Sequence, residues 1–71
     1  MKLSEFIKYI YVATVEITNF IDEKNIYFGS VKAIKKNLDI FKNYDIVGVF
    51  GADNNNYDLQ IYVTEEKWKN E

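Results

Sequence analysis

Two stretches of this chain alternate apolar and polar residues with period two, and a stretch of helical period lies between them. Thr14-Val15-Glu16-Ile17-Thr18 and Asp58-Leu59-Gln60-Ile61-Tyr62-Val63 are the alternating runs. Between them Val31, Ile34 and Leu38 recur at i, i+3 and i+7, with Lys32, Lys35 and Lys36 on the other side. A period of two places apolar side chains on one face of a strand, and a period near 3.6 places them on one stripe of a helix. Neither element can bury that face alone, so the chain is constrained to pack helix against sheet.

The remaining elements fill in around these. Leu3, Phe6, Ile7 and Ile10 predict a short opening helix with Ser4 as its N-cap. Val15 and Ile17 point inward from the first strand, Asp22-Glu23-Lys24-Asn25 reads as a hairpin turn, and Ile26 to Gly29 supplies a second strand. Ser30 stands at an N-cap position, and the amphipathic helix is expected from Val31 to about Phe41. The third strand starts at Asp45, and Ile46 to Phe50 is apolar at both parities around Gly48, which suits either a central strand or one that joins an interface. Gly51 to Asn56 reads as loop, and the charged tail from Glu65, broken by Trp68, as a helical turn or a frayed end. The order α-β-β-α-β-β gives an α+β fold: a four-stranded, mostly antiparallel sheet with helices on one face. Residues 1–71 make one domain. The helix-free face is expected to carry Thr14, Glu16, Thr18, Tyr27, Tyr62 and one parity of the third strand.

The side chains that are missing narrow the chemistry. The chain has no cysteine, histidine, proline or arginine, and its serines are Ser4 and Ser30. Thiol and imidazole catalysis, disulfides and soft-metal sites are therefore unavailable, as is bidentate guanidinium recognition of phosphate. Gly29, Gly48 and Gly51 fit no phosphate-binding loop. The adjacent carboxylates Asp22/Glu23 and Glu65/Glu66 tend to point apart, which disfavours paired acid–base work. From Asp53, the Asn-rich loop departs from a calcium loop at Tyr57, Asp58 and Thr64, and Asx turns account for it without an ion. No catalytic residue, cofactor or metal is expected.

Charge and aromatic content point toward contacts with other molecules. Net charge is −2, yet residues 1–36 hold six lysines against four acids and residues 37–71 three against seven. No bulk field draws the chain to nucleic acid or an anionic membrane, and no apolar run reaches the roughly 20 residues a membrane span needs. A cytoplasmic location is expected, because the opening residues lack the pattern of a signal peptide. Twelve residues are Phe, Tyr or Trp. Phe6, Phe28 and Phe41 are expected in the core, while Tyr27 and Tyr62 flank inward-facing neighbours and suit an interface. A core this small, without staples, also favours self-association, with a dimer first.

The segments MKLSEFI, VEI, DEKNIYFGSVKAI and YDIVGVFGADNNNYDLQIYV resemble small proteins encoded in phages and prophages of low-GC Gram-positive bacteria. The resemblance implies an accessory protein that binds and occludes a host protein, such as an inhibitor of bacterial defence of the anti-CRISPR kind. The residues expected to touch such a partner are Tyr27, Phe50 and Tyr62 on the sheet and Asp53, Asp58, Glu65 and Glu66 in the acidic half. Two other expectations stand beside it: a homo-oligomeric interaction module, and a sponge for a signalling nucleotide.

Overall fold

The computed structural model describes residues 1–52 and 56–65. Helix α1 spans Leu3–Tyr9, strands β1 and β2 span Thr14–Asn19 and Asn25–Ser30, and helix α2 spans Val31–Lys35. A 3-10 turn at Leu38–Phe41 leads to β3 at Tyr44–Gly51, and β4 closes the fold at Leu59–Glu65. The expectations for Asp53, Glu66 and the tail around Trp68 lie outside the described residues.

The sheet order is β2-β1-β4-β3. Each outer strand pairs antiparallel with its hairpin partner, and the two inner strands β1 and β4 pair parallel to one another. Two of three pairings are antiparallel, which is the expected α+β architecture. The inner strands are the two with alternating patterns, and their inward residues Val15, Ile17, Ile61 and Val63 are fully buried. They meet Leu3 and Ile7 of α1, Val31 and Ile34 of α2, and Phe41 of the 3-10 turn. All nine side chains belong to one core between helices and sheet, where apolar burial supplies the main stabilisation.

Local structure follows the expected signals with two corrections. Ser30 caps α2, its hydroxyl accepting the N–H of Ala33 at 3.1 Å. Ser4 does not cap α1: Lys2 holds that position without a side-chain hydrogen bond, and Ser4 lies inside the first turn. The second helix is also shorter than its pattern suggests. It ends at Lys35, and Asn37 adopts φ −145°, ψ 47° before the chain re-enters as a 3-10 turn. Asn competes with the helix backbone through its own amide, and the break lets Leu38 and Phe41 reach the core from a separate turn.

The third strand is an edge strand and not a central one. Its amino-terminal half is covered: Ile46 N–H donates to the Met1 carbonyl at 2.9 Å, and the Lys2 ammonium lies 3.6 Å from the Asp45 carboxylate. A bulge at Val47 follows, opposite the Val63–Tyr62 step of β4.

Candidate functional site

Residues opposite one another in a sheet share a face, so strand register shows what the helix-free side presents. One row runs Phe28–Glu16–Gln60–Phe50 across the four strands, and the next runs Thr18–Tyr62–Gly48. Among the described residues no helix lies over these rows. The face thus has an aromatic ring at each edge and a polar centre.

The polar centre is internally paired. Glu16 Oε1 accepts from Gln60 Nε2 at 2.8 Å and from Thr18 Oγ1 at 3.4 Å. Thr18 and Thr64 are buried although they lie on this side. Around the centre, Phe20 and Phe50 both stand edge-on to Tyr62, at ring-centroid distances of 6.3 and 5.7 Å. Phe28 meets Tyr57 in the same way at 5.7 Å. Edge-to-face packing holds such rings in fixed orientations, and Phe20, Phe28 and Phe50 each remain about half exposed. Gly48 makes room for Phe50, since a Cβ there would lie 3.1 Å from the ring.

The structure brings together two of the three aromatic residues expected on this face, Phe50 and Tyr62, and moves the third. Tyr27 lies opposite Ile17 and so points toward the helices. Its ring stands edge-on to Phe41 at 6.2 Å, and its hydroxyl donates to the Ser30 carbonyl at 2.8 Å. The cause is an extra residue in β2, Ile26, at a bulge that shifts the register by one. The same shift puts Phe28 outside, 51% exposed, where a core position was expected. Phe20 was not singled out from sequence. Its place in the period-two run, as i+2 from Thr18, was the available signal.

Of the acidic residues expected to touch a partner, Asp58 and Glu65 are described, and neither lies on the aromatic rows. The Asp58 carboxylate accepts the N–H groups of Ala13 and Thr14 at 2.9 and 3.1 Å, with the Thr14 hydroxyl at 3.5 Å. It therefore ties the loop before β4 to the start of β1. Glu65 ends β4 opposite Tyr44. Lys35 also has a structural place: its ammonium donates to the Ile10 carbonyl at 2.8 Å and sits 5.0 Å over the Tyr11 ring. Lys32 and Lys36 are exposed.

None of the four strands contains lysine, so among the strand residues the rings of this face are accompanied by a carboxylate and no cation, which does not suit a phosphate backbone. Among the described residues no three acids, cysteines or histidines gather where they could hold a metal. Two shallow depressions lie in the helix layer. One of about 280 Å³ is bounded by Met1, Phe6 and Tyr9, and one of about 180 Å³ by Ser4, Lys8 and Lys42. Both fall below the ~300–1,000 Å³ usual for small-molecule sites. No described helix is long and apolar enough to cross a membrane.

The chain matches no protein-family model, no curated protein and no solved structure.

Proposed function

We propose that this chain is a non-enzymatic binding module that lays the helix-free face of its sheet over a surface of another protein. The observation that carries the reading is the arrangement of Phe20, Tyr62 and Phe50. Three rings are held edge-to-face on a sheet face that no described helix covers, beside a polar centre joined by two internal hydrogen bonds. Fixed aromatic side chains contribute contact area at little entropic cost on docking. The Glu16–Gln60–Thr18 centre is tied together internally, and its Glu16 carboxylate calls for a donor or cation on the partner when the face is covered.

Together with the resemblance to phage-encoded proteins, this makes the partner a protein of the bacterial host, and the activity its occlusion in the manner of an anti-CRISPR or other anti-defence inhibitor. The determinants are Phe28, Phe50 and Tyr62, with Phe20 beside them. Asp58 and Tyr27 act in support of the fold. The nucleotide-sponge reading is the weaker one, because no described lysine lies on the sheet.

The test is capture of a host protein by wild type and by a Phe28→Ser/Phe50→Ser double variant. Both rings are about half exposed, so the variant is expected to keep its fold by circular dichroism. A stoichiometric partner retained by wild type and lost by the variant is the expected result. Equal retention by both would remove the face from the mechanism.

A further inference from the structure

The third strand carries apolar residues at both parities, and its position at the sheet edge means that burial within the chain does not account for them. Val47, Val49 and Phe50 are 48%, 38% and 55% exposed, and Met1 beside them is 75% exposed. From Val47 to Gly51 the strand has no charged residue and no proline, the devices by which edges are usually blunted.

Backbone alternation identifies which groups this edge offers. Ala52 N–H donates to the Asp58 carbonyl at 3.0 Å while the Asp58 N–H turns to the Thr14 carbonyl, so the 52–58 pair makes one ladder bond between β3 and β4. Stepping back by two along the registered ladder makes Phe50/Gln60 and Gly48/Tyr62 hydrogen-bonded pairs as well. Val49 and Gly51 then direct their N–H and C=O groups away from β4, toward the open edge. The opposite edge of the sheet is better closed: β2 bulges at Ile26, and its Ser30 carbonyl accepts the Tyr27 hydroxyl.

We infer that a second copy of this chain pairs with this edge, β3 against β3 in antiparallel fashion about a two-fold axis at Val49. Met1 and Lys2 close the edge up to Ile46, and no described residue pairs with the edge from 47 to 51, a stretch centred on Val49. A two-fold axis there sets Val49 opposite Val49 of the second copy, and Phe50 opposite the glycine at position 48. Large therefore meets small, and no like charges face one another across the pair. Pairing over so short a stretch of edge buries less than the ~1,200 Å² of lasting complexes. The dimer is accordingly weak and reversible. It joins two four-stranded sheets into one of eight strands, with the two aromatic faces side by side and still open. The pairing uses the backbone edge of β3 and the proposed binding uses the face, with Phe50 bordering both.

Light scattering from about 10 µM to about 1 mM tests it, a range suited to a weak complex. Wild type should rise from 8.4 kDa toward twice that mass. Val49→Thr, neutral and β-branched, should rise in the same way, while Val49→Lys, which places two ammonium groups at the axis, should stay at the monomer mass. A wild type that stays monomeric throughout overturns the inference, and so does a Val49→Lys variant that still dimerises or a Val49→Thr variant that does not. If Val49→Lys proves unfolded by circular dichroism, hydrogen exchange of wild type decides. Slower exchange of the Val49 and Gly51 amides at high concentration supports the pairing, and unchanged exchange overturns it.

Discussion

Gly29 and Asp58 show how single residues set the geometry of this protein. Gly29 has φ 157°, and a Cβ there would stand 3.0 Å from the Tyr27 hydroxyl oxygen. The absent side chain lets Tyr27 reach the Ser30 carbonyl across the turn into α2. Gly29→Ala is expected to cost about 1–3 kcal/mol through strain and displacement of that ring, read as a lower urea midpoint at unchanged slope. Asp58 accepts two backbone N–H groups at the entry to β1. Removing it leaves those donors to water, because the site is exposed, so Asp58→Ala should cost about 1 kcal/mol in the same measurement. Neither effect should alter partner capture, since both residues lie off the aromatic rows. Asp58 was legible in the sequence as an acidic loop residue but not as a tie between β4 and β1, because its acceptors' partners are 44 and 45 residues away.

Among the elements, α2 and β3 carry the most information. The Ser30 cap is local chemistry: a hydroxyl one residue before the helix with the Ala33 N–H within reach. Ser30→Ala should lower stability by about 1 kcal/mol, with loss of helical signal on warming before the sheet melts. The helix stops at Lys35 because Asn37 leaves helical geometry, although the apolar spacing of Val31, Ile34 and Leu38 continues unbroken. Spacing reports which side chains must point inward, and a 3-10 turn after a break satisfies it as well as a continuous helix does. In β3 the sequence left two readings open, and sheet order removes the central one.

For the whole molecule, the consequence of size dominates. Among the described residues nine side chains form the buried apolar core, and a chain of this length has a net stability of only about 3–5 kcal/mol. Ile17 lies at the centre of the parallel pair, opposite both Tyr27 and Ile61. Truncation there to Ala removes about 2–5 kcal/mol, a large part of the total. Ile17→Ala is therefore expected to be largely unfolded at 25 °C by near-ultraviolet circular dichroism. A cooperative melt near the wild-type midpoint would contradict this account of the core. Half-exposed Phe20, Phe28 and Phe50 sit on the opposite side of the same sheet, so one face is committed to stability and the other is covered by no described helix.

The sequence by itself determined the elements, their order and the inward residues of β1 and β4, because periodicity, turn chemistry and capping act over a few residues. It also determined which catalytic chemistries are missing, because that depends on composition alone. Tertiary structure decided that β1 and β4 lie side by side in parallel and that β3 takes an edge. It also decided that Phe28 faces outward while Tyr27 packs against Phe41. Those outcomes depend on pairing between distant strands and on one extra residue at Ile26. A single-residue shift of register carries every following side chain to the opposite face, and nothing in the local pattern of β2 reports it.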